Sequence, residues 1–386
     1  VASSDNLSIA MVAGESSGDL LASRLLSGLR PRLPDCHIHG IGGMHMAEQG
    51  FISHVPMEKL TVRGLFEVIP RYREIKGIQN QLRDQLLAAP PAAFIGVDYP
   101  GFNLGLEEQL KKAGIPTMHF IGPQIWAWRG WRIKKIIRSV SHMLVIFPFE
   151  EEIYRKAGVP VTYVGHPLAE VIPMVPDMTA ARNTLALVQN TRVVAIMPGS
   201  RMSELKLNTP GFLGAAKILA AREPGLQFVV PMAGVAQKAY FEELRTAAGA
   251  DNLNMKVMVG DAHTAMTAAD AVLVASGTAS LEVALHKKPM VISYKVMRAS
   301  YEIMRHMNYM PWVGLPNILA REFVVPELLQ NAATPEALAD ALWEQMNHPA
   351  QMAALRQRFT DMHYSLLRDT ANESARAVCR LIHRFE

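Results

Sequence analysis

Short apolar runs that stop at Gly, Pro, Ser or Asp alternate with amphipathic stretches along most of this 386-residue chain. LSIAMVAG (7–14) precedes DLLASRLLSGLRPRL, AAFIGVD (92–98) precedes NLGLEEQLKKAG, and SHMLVIFPF (141–149) precedes EEEIYRKAG. IPTMHFI and VTYVG complete a first series; RVVAIMPGS, LQFVVPMAG, MKVMVGD, AVLVASGT and PMVISYK form a second. The runs are continuously apolar rather than alternating, as strands buried on both faces must be, and a helical stretch between strands is what a parallel crossover requires. The pattern therefore predicts an α/β protein of two doubly wound, Rossmann-like domains facing a cleft. A Pro-rich passage, HPLAEVIPMVPD (166–177), separates the series and reads as a hinge. The expected division is 1–170, 171–345 and a helical tail, 346–386, that packs back on the first domain or on a partner subunit.

Composition excludes several classes. Hydrophobic residues make up 49% of the chain and charged residues 19%, which is globular rather than disordered. Cys36 and Cys379 have no Cys or metal-ligand spacing around them, so neither a disulfide framework nor a metal centre is expected, and a reducing cytoplasm fits. No apolar stretch has the roughly 18 residues of a membrane span, and VASSDNLSIAMVAGESSGD lacks the basic start and long apolar segment of a signal peptide. The net charge of +4 suits anionic lipid, nucleotide or nucleic acid alike.

In doubly wound sheets ligands bind beyond the carboxyl ends of the strands, so the residues just after each apolar run carry the information. In MVAGESSGD, Gly14 and Gly18 flank Glu15, Ser16, Ser17 and Asp19: a poor phosphate cradle, but either a binder of hydroxyls or a tight turn with Ser17 or Asp19 as helix cap. Asp98 ends its strand and is followed at once by Tyr99-Pro100-Gly101; it serves either as a general base on a hydroxyl nucleophile or as a turn residue. Gly199, Ser200 and Arg201 offer amides and a guanidinium, a combination that suits a diphosphate but is also a common turn. Ser276, Gly277 and Thr278 close a strand, Ser280 is placed to cap the next helix, and Glu282 lies in its first turn. A helix N-terminus there attracts phosphate, and Glu282 either accepts from vicinal ribose hydroxyls or complements the helix dipole.

Taken together and in order, MVAGESSGD, FIGVDYPGFN, IGPQIWAWR, YVGHPLAE, MPGSR, LVASGTASLE and GLPNILA resemble the lipid A disaccharide synthase family over nearly the whole chain. The resemblance implies the glycosyltransferase-B fold and an inverting transferase that needs no cofactor and no metal. Its reaction transfers 2,3-diacylglucosamine from UDP to 2,3-diacylglucosamine 1-phosphate, giving the β-1,6-linked disaccharide 1-phosphate and UDP. On this sequence it makes Asp98 the catalytic base. Ser17, with Glu15 and Asp19, would line the acceptor side. Gly199, Ser200, Arg201, Ser276, Gly277, Thr278, Glu282 and Asn317 would hold the UDP-sugar. A UDP-GlcNAc 2-epimerase on the same architecture is the alternative.

Lipid substrates imply a peripheral enzyme on the cytoplasmic face of the inner membrane. In LTVRGLFEVIPRYREIKGI, Leu65, Phe66, Val68, Ile69, Tyr72 and Ile75 stand among Arg63, Arg71, Arg73 and Lys76, which reads either as an interfacial amphipathic element or as an ordinary helix on the sheet. WAWRGWRIKKIIRS interleaves Trp with basic residues. It fits a phosphate or headgroup contact, or packed Trp beneath a solvated helix; with no nucleic-acid motif beside it, no nucleic-acid partner is expected. A homodimer is compatible with the helical tail.

Overall fold

The structure, a computed structural model, describes residues 7–60, 65–127, 130–297 and 310–383, with the backbone alone for 65–70. Two compact units form: residues up to Pro167 together with those from Leu366, and Leu168–Ser365.

The first unit is built on parallel strands β1 (Ser8–Ala13), β2 (His37–Ile41), β3 (Ile52–Ser53), β4 (Ala93–Val97), β5 (Thr117–Phe120), β6 (His142–Val145) and β7 (Val161–Tyr163). Their order across the sheet is β3-β2-β1-β4-β5-β6-β7. Helices α1 (Ser16–Leu29), α2 (Met44–Glu48), α3 (Leu65–Ala88), α4 (Pro100–Lys112), α5 (Ile133–Ser139) and α6 (Pro148–Lys156) connect them. Every residue of β4 is buried, and only Ser8 of β1 is not, which is why both read as unbroken apolar runs. On one face, Phe94, Phe102, Leu106 and Leu110 join Leu82 and Leu86 of α3 in a single core.

The second unit follows short helices α7 (Pro167–Val171) and α8 (Met178–Thr184). Its parallel strands are β8 (Val193–Met197), β9 (Gln227–Met232), β10 (Met255–Val259), β11 (Ala271–Ala275), β12 (Met290–Tyr294) and β13 (Glu327–Leu329), ordered β10-β9-β8-β11-β12-β13. Helices α9 (Met202–Arg222), α10 (Val235–Ala247), α11 (Ala262–Ala268), α12 (Thr278–Leu285), α13 (Leu315–Ala320), α14 (Pro335–Asn347) and α15 (Pro349–Leu366) complete it.

Both sheets reverse direction of growth at their first strand. β1 has β2 on one side and β4 on the other; β8 has β9 and β11. Connections leaving such a strand and its neighbour diverge to opposite faces, opening a crevice at the carboxyl ends. MVAGESSGD and Asp98 flank this point in one unit, GSR and SGT in the other.

The chain crosses between units twice, at Pro167–Leu168 and at Ser365–Leu366, so α15 belongs to the second unit and α16 (Thr370–Ile382) to the first. Asp369 caps α16, accepting from the Asn372 amide at 3.0 Å. The helix buries Thr370, Ser374, Ala377, Val378 and Leu381, one stripe at three- and four-residue spacing, and packs against α1. Closest approach is at Gly28, where a Cβ would stand 2.3 Å from the Ala371 carbonyl oxygen. Backbone cannot yield as a side-chain tip does. Gly28→Ala is therefore expected to destabilise the first unit by about 1–3 kcal/mol, read as a lower urea midpoint.

Candidate functional site

In the first unit, β1 runs out at Ala13 and the chain turns through Gly14 into α1, leaving Glu15, Ser16 and Ser17 exposed. Glu15 occupies the N-cap position with its side chain making no cap bond. Gly14 lies under the Tyr99 ring, where a Cβ would come within 2.6 Å, so the β1 and β4 turns pack directly on each other. Asp98 and Tyr99 both have φ of 48°, and Ile121, which ends the adjacent β5, has φ of 64°. Left-handed backbone costs a non-glycine residue on the order of 1–3 kcal/mol, and a β-branched one is a marked outlier. The turn is held by hydrogen bonds from Asp98 N to Phe120 O (2.8 Å), from Asn103 Nδ2 to Asp98 O (2.8 Å) and from the Tyr99 hydroxyl to Leu60 O (2.9 Å). Among the described residues none donates to the Asp98 carboxylate, which is half-exposed.

Asp19 is buried. Its carboxylate is 2% exposed and accepts from the amides of Gly43 (2.8 Å), His45 (3.0 Å) and Met46 (3.2 Å). It accepts from free N–H groups at the start of α2.

In the second unit, Gly199 and Gly277 take φ of 129° and 141°, open to glycine alone in practice, at the ends of β8 and β11. The Arg201 guanidinium is exposed, but the Ser200 and Arg201 amides already donate to Glu204 Oε2 at 2.9 and 3.2 Å. The GSR loop thus offers a side chain more than a backbone cradle. Gly277 and Thr278 are exposed at the start of α12, and no side chain caps them. Ser280 is buried within the first turn and gives its hydroxyl to Gly277 O at 2.8 Å instead of capping the helix. Glu282 Oε2 lies 3.3 Å from His263 Nε2; the bond to that carboxylate holds the imidazole above its ordinary pKa.

Asn317 lies inside the second unit. It is fully buried: Nδ2 donates to Val325 O (2.9 Å) and Glu327 Oε1 (2.8 Å), and Oδ1 accepts from the amides of Val324 and Val325. Glu327 in turn accepts from the amides of Val313 and Gly314. These bonds tie 313–325 to Glu327 at the start of β13.

Of the membrane stretch, Ile75 packs into the core beneath α3 and Tyr72 is exposed; the side chains of Leu65, Phe66, Val68 and Ile69 lie outside the described residues, as do Arg63, Trp128 and Arg129. Trp131 is exposed, whereas Trp126 is buried edge-on to Phe147 and Phe149. Among the described residues no helix is long and apolar enough to cross a membrane, and no group of three His, Cys, Asp or Glu is placed to hold a metal ion.

Three ionisable residues escaped the sequence reading because each sits where a surface charge is the ordinary outcome. Glu204 begins a polar-looking helix turn, Glu107 sits in LEEQLKK, and Glu150 opens EEE. Glu107 and His119 are both fully buried and pair at 2.7 Å. A signal for Glu107 existed: it shares the helical stripe of Asn103, Leu106 and Leu110, the apolar face of α4.

The fold places this chain among two-domain glycosyltransferase-B proteins. CalG4, the calicheamicin glycosyltransferase, superposes with TM-score 0.60 at 12% identity over 98% of this chain and 99% of that one. A UDP-GlcNAc 2-epimerase from Neisseria meningitidis gives 0.59 at 9% identity, covering 98% and 100%, so the architecture by itself does not separate transferase from epimerase. Sequence does. The profile of the lipid-A-disaccharide synthetase family matches residues 9–382, and the lipid-A-disaccharide synthase of Aromatoleum aromaticum is 52% identical over 97% of this chain and 96% of its own length. This chain belongs to that family and is a glycosyltransferase of lipid A biosynthesis.

Glu150 supplies a pH test. Burial pushes its carboxyl up to about 7 despite the Phe147 amide donating to it at 3.1 Å. A carboxyl raised in the folded state favours folding most when protonated: its contribution is full below about 4.5, the ordinary value, and falls as pH rises to about 7. Glu150→Gln keeps the acceptor and removes that loss. Its melting temperature should exceed wild type at pH 8, by the equivalent of a few kcal/mol at most, with the gain gone at pH 4.5.

Proposed function

We propose that Asp98 is the general base with which this chain joins two diacylated glucosamines. The carboxylate would take the proton of the acceptor's 6-hydroxyl as that oxygen attacks the anomeric carbon of UDP-2,3-diacylglucosamine from the side opposite UDP. The C–O bond to the diphosphate breaks, configuration inverts, and the β-1,6-linked disaccharide 1-phosphate and UDP leave. The observation that carries this reading is the turn itself: a half-exposed carboxylate with no donor among the described residues, in a turn of two consecutive left-handed residues at the switch point of a parallel sheet. Strain of that kind persists where surrounding structure over-determines it, and here three hydrogen bonds do so.

Ser17 and Glu15, exposed across the same switch point, are assigned to the acceptor. In the second unit the N-terminus of α12 and the Arg201 guanidinium are assigned to the diphosphate, whose developing charge on departure they would neutralise. Glu282, oriented by His263, is assigned to the ribose. Exposed Tyr72, Arg73 and Lys76 on α3, and Trp131 with Lys134 beside it, support a peripheral seat on the anionic cytoplasmic face of the inner membrane.

A transfer assay with UDP-diacylglucosamine and diacylglucosamine 1-phosphate tests the assignment. Asp98→Asn is expected to lose about 10²–10⁴-fold in kcat, with donor KM little changed. Arg201→Ala should lose about 10–100-fold in kcat/KM, the worth of a charge-assisted contact. Full activity in Asp98→Asn would remove the base. For the membrane seat, co-sedimentation with vesicles should rise with phosphatidylglycerol content and fall with salt; equal binding to neutral vesicles would remove the electrostatic part.

A further inference from the structure

Two large apolar side chains stand open to solvent on the rim of the first unit, beside the residues assigned to the acceptor. Leu20 is 46% exposed and Met44 74%. The buried stripe of α1 runs through Ala22, Leu25, Leu26 and Leu29, and Leu20 lies off it. It shares the outer face with Ser16 and Ser17, one turn earlier and both exposed. Scattered single apolar residues are ordinary on a protein surface. What sets this pair apart is how it is held.

α2 begins just after β2 ends, and α1 just after the neighbouring β1, so both helices start on the carboxyl rim. The Gly43 amide donates to Asp19 Oδ1 at 2.8 Å, and a Cβ on Gly43 would fall 2.6 Å from Asp19 Oδ2. A side chain at 43 would push the two helices apart. Leu20 follows Asp19 and Met44 follows Gly43, each about 3.8 Å along the chain from the joined residues. The buried carboxylate, with its three amide bonds, thereby carries two exposed apolar side chains to one part of the rim. Neither can hydrogen-bond a sugar, and both can cover hydrocarbon.

The order of the strands gives the pair a direction. β1 lies between β2 and β4, so the rim presents in turn Asp98 at the end of β4, Glu15 and Ser17 after β1, and Met44 after β2. β2 and β4 are two strand spacings apart, about 10 Å. In glucosamine, the ring carbon that carries the 6-hydroxymethyl group and carbon 2 face each other across the six-membered ring. An acceptor whose 6-hydroxyl meets Asp98 therefore sends its 2-linked acyl chain away from β4, over the first turn of α1, toward Leu20 and Met44.

We propose that Leu20 and Met44 seat the 2-linked acyl chain of the acceptor and are specificity-determining residues for a lipid acceptor. The proposal rests on Asp98 being the base and on Ser17 facing the acceptor; neither apolar residue touches the reacting atoms.

The test compares two acceptors, diacylglucosamine 1-phosphates with tetradecanoyl and with butyryl chains, at saturating donor. The readout is the ratio of butyryl to tetradecanoyl acceptor KM, in which a uniform loss cancels. In Leu20→Ser and in Met44→Ser the ratio should fall about 3–10-fold below wild type, the worth of one partly buried apolar contact, with donor KM unchanged. Leu20→Met, which keeps the hydrocarbon, should hold the wild-type ratio. Both positions are exposed, so the serine variants keep the fold. An unmoved ratio in both overturns the proposal. Loss of vesicle co-sedimentation in the same variants overturns it too, since the pair would then be a bilayer contact. Ser17→Ala and Asp98→Asn separate the layers. Ser17→Ala should raise acceptor KM for both chain lengths alike; wild-type KM there, or wild-type turnover in Asp98→Asn, removes the acceptor reading on which the seat depends. Loss in both, with an unmoved ratio in Leu20→Ser and Met44→Ser, removes the seat alone.

Discussion

Covering both faces of a parallel sheet decides where everything else in this protein goes. With helices over the central strands, their faces are closed to solvent, and polar chemistry is confined to the rims where those strands stop. The order of the strands then selects one place on each rim, beside β1 in one unit and beside β8 in the other. Every assigned residue with access to solvent is at or near one of these two points. The left-handed residues Asp98, Tyr99 and Ile121 gather there too, because a strand that must end abruptly and deliver its last side chain outward has few backbone solutions.

The fold was legible from the sequence because it rests on periodicity. Uninterrupted runs such as AFIGV and AVLVA can be satisfied only by burial on both sides, and the restart after the Pro-rich passage marks a second sheet. The candidate base was legible for a related reason, since Asp98 breaks an apolar run at its end. What pattern could not supply was the use to which each polar side chain is put. Asp19 and Asn317 stand in motifs dense with polar residues, and each accepts hydrogen bonds from backbone amides of a neighbouring loop. Their oxygen atoms look the same on paper whether they face a sugar or a peptide group. Glu107 and His119 lie twelve positions apart, on different elements, and only the packing of α4 against the strands brings them together.

Short helices such as α2 begin with amides that a buried site cannot leave bare, and long crossovers such as 313–325 need an internal scaffold. A family signature at such a place records the loop's architecture as much as its ligand. Glu204 is an instructive case: by drawing the Ser200 and Arg201 amides to itself, it leaves the exposed Arg201 side chain, rather than the backbone, as what the GSR turn presents to solvent.

The return of the chain to its first unit has a consequence for biosynthesis. The face of α1 that receives α16 is made early, but its cover is encoded after the whole of the second unit, 168–365. At about 5–20 residues per second, the ribosome needs on the order of 10–40 s to cross that interval. During this time α1 lacks the cover that α16 gives it around Gly28. Completion of the first-made unit is the last folding event, so a translation pause or premature stop within the second unit would leave its damage in the first.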